Sequence, residues 1–167
     1  TSFGVNTKLL TPAQYPKSWT DLANPAYKGK ISAARPDKSG SAYIQLATIL
    51  QLYGEDKGWE LYAKILDNLV LSNSSGAVPK FVNDGEASIG LSNEDTLLKF
   101  KQGGGPVEIL YPADGTTASA DGMALLANPA NAEGGKQFMN FMLSQEAQTI
   151  LDGVGRRAHR DLTAAEQ

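Results

Sequence analysis

The chain has 167 residues, enough for one ordinary domain with its own core, and its 41% hydrophobic and 20% charged content is that of a globular protein, not a disordered one. A formal net charge of −3 and only a short basic cluster, Arg156, Arg157 and Arg160, exclude the clustered positive surface that nucleic acid or anionic lipid demands. Cysteine is absent, which removes thiol nucleophiles, thiolate metal sites and disulfides together.

The first residues alternate, Ser2-Phe3-Gly4-Val5-Asn6, as a short half-buried strand does. After Pro12 and Pro16, Ser18-Trp19-Thr20-Asp21 reads as a variant capping box opening a short helix that stops at Asn24-Pro25. Lys30 to Ala34 predicts a buried strand. Ser39-Gly40-Ser41 then leads a helix in which Tyr43, Leu46, Ala47, Ile49, Leu50 and Tyr53 repeat at helical spacing, closed by Gly54. A second helix carries Trp59, Tyr62, Ile65, Leu66 and Leu69 on one side, and the spacing predicts Tyr43, Tyr53, Trp59 and Tyr62 in the core.

Val70-Leu71 predicts a short strand leading to Asn73-Ser74-Ser75-Gly76, with a short helix over 75–83 stopped by Asp84-Gly85. Ala87 to Leu91 is another buried strand, and Asn93 is placed to cap the helix running to Phe100. Lys99 and Lys101 lie on its solvated face. Gly103-Gly104-Gly105 lacks the Lys-Ser/Thr of a phosphate loop and reads as a turn before the strand Val107–Tyr111. From Asp114 to Asp121 the composition turns to Gly, Thr, Ser and Ala without an apolar period, which predicts a hinge or crossing segment. Beyond it come an expected strand at Met123–Ala127, a helix with Phe138, Phe141 and Met142, and a shorter helix capped by Ser144. Strands alternating with helices in this way predict an α/β layer with a mostly parallel sheet.

Chemistry-bearing residues are few. The single histidine, His159, is followed by Arg160 and Asp161 near the C-terminus, where a solvated residue is expected and not a general base. Catalysis, a metal and a cofactor are therefore all unexpected. Ser39-Gly40-Ser41-Ala42 offers more: a helix N-terminus with free amides, hydroxyls, and small residues that let an anion approach. The plainer use of serine there is an N-cap. Ser74 and Ser75 repeat the arrangement of strand end, hydroxyl, glycine and short helix, against the plainer reading of a flexible turn. Asn93-Glu94-Asp95 follows a third strand end. Its carboxylates suit the hydroxyls of a polyol or a hard cation, although acidic residues in a first helical turn are favoured by the dipole alone. Tips at the carboxyl ends of adjacent strands would face one crevice.

Several stretches, taken in order, carry a resemblance: Val5-Asn6-Thr7-Lys8-Leu9-Leu10, Pro16-Lys17-Ser18-Trp19-Thr20-Asp21-Leu22, Tyr27-Lys28-Gly29-Lys30-Ile31 and Ser39-Gly40-Ser41-Ala42-Tyr43. Asp84 to Leu91, Asp121 to Leu126 and Lys136 to Gln148 complete the set. Together they resemble the periplasmic solute-binding proteins of ABC importers, in the type II cluster that takes ferric ion, phosphonates and sugar phosphates. The resemblance implies a periplasmic-binding-protein lobe, a ligand contact on the Ser39 turn, and a membrane permease as partner. It implies a periplasmic location, or a membrane-anchored extracellular one in a Gram-positive organism.

Where iron-binding members place tyrosine ligands, this chain has Glu94 and Asp95, which leans toward an organophosphate, sugar phosphate or phosphonate. Ferric iron, or a sensory role for the same fold, is the alternative. Members usually have two lobes and are far longer. The resemblance implies a second, ligand-binding lobe over 1–113, a hinge over 114–121, and over 122–167 a strand and helices belonging to the first lobe. The chain opens on Thr1 with no signal peptide, so a mature product or a cut fragment is expected. A fragment would expose Phe138, Phe141 and Met142 and self-associate through residues 121–151.

Overall fold

The computed structural model describes residues 1–156. Arg157, His159, Arg160 and Asp161 lie outside the described residues. The chain divides into two compact units, the first from Thr1 to Ala118 and the second beginning at Ser119.

In the first unit, β1 (Ser2–Asn6) is followed by three 3-10 turns, then β2 (Ile31–Ala34), α1 (Gly40–Tyr53), α2 (Glu55–Leu66) and β3 (Leu69–Ser72). α3 (Ala77–Asp84), β4 (Ile89–Ser92), α4 (Glu94–Gln102) and β5 (Val107–Leu110) complete it. The sheet order is β3-β2-β4-β1-β5. β2 pairs in parallel with β3 and β4, whereas β1 is antiparallel to both β4 and β5. Four strands therefore point one way and β1 alone is reversed. The helices that follow β2, β3 and β4 return the chain to the starting edge, which makes the next strand parallel. The segment after β1 holds only short 3-10 turns, at Pro12–Gln14, Thr20–Ala23 and Pro25–Tyr27, and carries out no such crossover.

β1 is buried along its whole length, not on one face as its alternation predicts. Phe3 and Val5 join Trp19, Leu22, Ile31, Ile49, Ile65 and Ile89 in a core on the α1–α2 side. On the other side, Val82, Leu97 and Val107 form a second core, and a Cβ on Gly4 would stand 2.3 Å from Leu97 Cδ2. The polar residues of β1 survive burial because they are bonded. Asn6 Nδ2 donates to Val82 O at 2.7 Å, and Asn6 Oδ1 accepts from Lys8 N at 2.9 Å.

Local signals hold in most places. Ser39 caps α1 and Gly54, at positive φ, ends it; Gly85 in the left-handed region closes α3. Ser18 Oγ accepts from Asp21 N, but the Asp21 carboxylate accepts from Lys17 N, one residue earlier than a capping box requires. The turn it starts is 3-10. The aromatic set divides: Tyr62 is buried and Tyr53 packs against the core, whereas Tyr43 is 62% and Trp59 51% exposed. Helical spacing assigns residues to a face; it does not say how much of that face a neighbour covers.

The second unit contains α5 (Ala132–Met142) and α6 (Gln145–Gly153), capped by Asn131 and Ser144 through bonds to Gly134 N and Ala147 N. The strand expected at Met123–Ala127 is not formed. Met, Ala and Leu carry no strong strand preference, a strand exists only where its amides and carbonyls find a ladder partner, and among the described residues all five paired strands lie in the first unit. No helix among the described residues is long and apolar enough to cross a membrane.

Candidate functional site

The parallel register sets the positions of the three turns singled out in the sequence. Ala34 pairs with Ser72, and Ser32 with Gly90, so β2, β3 and β4 end at one edge of the sheet. The residues after those ends are the Ser39 turn, Asn73 to Gly76, and Asn93 to Asp95. β3 and β4 flank β2, so their tips stand two strand spacings apart, roughly 10 Å. That span suits a small solute.

At the first tip, Ser39 Oγ accepts from Ala42 N at 3.4 Å and lies 3.0 Å from Ser41 Oγ. Ser39 thus serves as the cap that plain statistics favour. It satisfies the Ala42 amide, while the Gly40 and Ser41 amides of the first turn have no carbonyl of their own helix to reach. Nothing lies within 4 Å of the position a Gly40 Cβ would take. The first turn is open at the Gly40 side-chain position.

At the second tip the hydroxyls are engaged locally. Ser72 Oγ donates to Ser74 O at 3.0 Å, and Ser74 Oγ accepts from Gly76 N at 3.2 Å. Gly76, not a serine, holds the N-cap position of α3. Ser74 is exposed and Ser75 half-buried. At the third tip Asn93 occupies the N-cap of α4 without a side-chain capping bond. Thr96 Oγ1 instead donates to Asn93 O at 2.8 Å and lies 3.0 Å from Ser92 Oγ. Glu94 accepts a hydrogen bond from the Tyr111 hydroxyl.

Residues missed in the sequence also reach this edge. Tyr111 follows β5, and because β5 runs with β2–β4 its end is level with theirs. Arg35 follows β2, its Nε and Nη2 bonded to Asp37 at 3.0 and 2.9 Å. The hydrogen bond from Arg35, with its charge, holds the Asp37 carboxyl below the usual carboxylate range. The pair is exposed, with side-chain accessibilities of 47% and 55%. A strand-end rule would have flagged both residues; the contact between Tyr111 and Glu94 had no local signal. Among the described residues no three His, Cys, Asp or Glu side chains gather as a metal site.

A family model described as bacterial extracellular solute-binding protein matches residues 1–165. The chain belongs to that family. It is 32% identical to the periplasmic binding protein AfuA from Actinobacillus pleuropneumoniae, solved with fructose 6-phosphate bound, with a TM-score of 0.86. That match covers 94% of this chain and 50% of AfuA. Iron-bound HitA from Pseudomonas aeruginosa is 25% identical with a TM-score of 0.75, over 90% of this chain and 51% of HitA. A putative 2-aminoethylphosphonate-binding periplasmic protein of Salmonella typhimurium is 27% identical over 99% of this chain and 51% of its own length. The chain spans about half the length of these relatives. The periplasmic-binding-protein resemblance and its α/β fold thus hold, and the relatives named are binding proteins.

Proposed function

We propose that this chain carries part of the binding site of an extracytoplasmic solute-binding protein that delivers a small anionic solute to the membrane permease of an ABC importer. The solute class is an organophosphate, sugar phosphate or phosphonate, and the chain is not an enzyme. The observation that carries this is the convergence of the Ser39, Ser74 and Asn93 turns on one sheet edge, with the open first turn of α1 among them. Gly40 and Ser41 amides and the Ser39 and Ser41 hydroxyls take the anion, with Ala42 keeping the turn small; Ser74, Ser75 and Asn93 add neutral donors. Glu94 and Asp95 take hydroxyl or ammonium groups at the solute's other end. Residues 1–113 act as the ligand-binding lobe. The fructose 6-phosphate of AfuA and the aminophosphonate named for the Salmonella relative both join an anion to such donors.

The test is an NMR titration of the chain with fructose 6-phosphate, 2-aminoethylphosphonate, inorganic phosphate and a ferric salt. The expected result is shifts at Gly40–Ala42 with the phosphorus compounds and no visible charge-transfer band with iron, since positions 94 and 95 are carboxylates and the neighbouring Tyr111 hydroxyl is engaged as a donor to Glu94. A strong band lost on replacing tyrosines would restore the iron reading, and silence at Gly40–Ala42 would end the anion reading.

The second unit supports a further expectation. Phe138 is 60% and Leu126 76% exposed, with Phe141, Leu143 and Ile150 also exposed. Covering such side chains stabilises by roughly 1.5–3 kcal/mol each. Light scattering across a concentration series is expected to show self-association through residues 121–151. A mass that stays monomeric throughout would exclude it.

A further inference from the structure

The crossing tract from Asp114 to Asp121 reads in sequence as one flexible piece, but its first residues are bonded along their length. Ala113 N donates to Lys17 O at 2.7 Å, and Asp114 Oδ2 accepts from Trp19 N at 2.9 Å and from the Tyr53 hydroxyl. Trp19 Nε1 donates to Gly115 O at 3.0 Å, Thr116 Oγ1 donates to Thr1 O at 2.6 Å, and the Thr48 and Thr117 hydroxyls are bonded to each other. Gly115 has φ +124°, a region that favours glycine. These bonds tie one short segment to Thr1 just before β1, to Lys17 and Trp19 just before the 3-10 turn at Thr20–Ala23, and to the C-terminal half of α1.

Asp114 is the centre of that junction. One carboxylate oxygen holds donors from two different elements, and the other, Oδ1, is buried without a protein partner. Burying a carboxylate costs free energy unless it is well bonded, so a free linker would hold this side chain in water. Burial, then the hydrogen bond and charge of Asp114 and the charge of Asp21, push the Tyr53 phenol well above the ordinary tyrosine range. Tyr53 therefore stays a donor through neutral and moderately alkaline pH.

We infer that Asp114 latches residues 113–117 onto the first unit as a fixed strap, so that any hinge in the crossing segment lies after Ala118. The unit boundary at Ala118–Ser119 falls directly after the last of these bonds. This inference stands apart from the solute reading, since it uses no residue of the Ser39, Ser74 or Asn93 turns. Because Tyr53 and Thr48 belong to α1, the strap also fixes the axis of the helix whose first turn is open at the sheet edge.

Amide hydrogen exchange on the whole chain tests it. In the unaltered protein the Trp19, Ala113 and Gly115 amides are expected to exchange at least ~100-fold more slowly than those of residues 119–122. Asp114→Ala is expected to speed exchange at these three amides by about tenfold or more, while Val5 and Leu91 in the sheet stay protected. Tyr53→Phe removes one donor and is expected to give a smaller change in the same direction, which keeps the test open if Asp114→Ala does not fold. Equal exchange across 113–122 in the unaltered protein would overturn the latch. So would a uniform rise at Val5 and Leu91 in Asp114→Ala, since that would make Asp114 a general stabiliser.

Discussion

Trp19→Ala is expected to lower the unfolding free energy by about 3–5 kcal/mol, read as a shift of the urea midpoint. Trp19 is 0% exposed and heads the fully buried side chains by size. Its ring meets Phe3 edge-on, with centroids 5.0 Å apart at 90°, a geometry that adds to the area term. The truncation leaves a large cavity between the 3-10 turn and β1, where a close-packed interior collapses only in part. It also deprives Gly115 O of the indole donor. Trp19→Phe separates the two effects: it restores most of the volume and leaves the carbonyl short of its donor, at about 1–3 kcal/mol. A loss below about 1 kcal/mol for Trp19→Ala would show that this side chain does not anchor the core.

Gly40→Val is expected to weaken binding of fructose 6-phosphate or 2-aminoethylphosphonate by roughly tenfold or more, about 1.4 kcal/mol, while leaving the fold intact. The two halves of that expectation come from one observation. A Cβ at position 40 meets nothing within 4 Å, and Gly40 is not among the glycines at positive φ, so a side chain there starts in open space without backbone strain. A bulky side chain on the first residue of α1 is expected to crowd an anion held by the Gly40 and Ser41 amides. Calorimetric or NMR affinities on the two proteins, beside their urea midpoints, decide it. Equal affinity with equal stability would mean that the turn is only the Ser39 cap.

Much of the fold was legible because the signals are local. α1 runs from the residue after Ser39 to the residue before Gly54, and Ser144 caps the helix it precedes. Caps, left-handed glycines and helical periods act over a few residues, so the sequence alone determines them. The order of the short stretches was enough for the family, and the serine turns were visible as strand-end tips.

What remained needed partners far along the chain. Whether Met123–Ala127 forms a strand depends on a neighbour for its backbone, and the reversed direction of β1 depends on how the chain re-enters the sheet. Exposure of Tyr43 and Trp59 follows from which helix faces are covered, which their spacing does not encode. The level ends of β2, β3 and β4 bring the three turns to one edge through parallel pairing alone. Trp19 and Asp114 are 95 residues apart, and Tyr53 and Asp114 are 61 apart. No periodicity or propensity spans such distances. Only the tertiary structure brings Trp19 and the Tyr53 end of α1 to one carboxylate in a tract that reads, by composition, as a hinge.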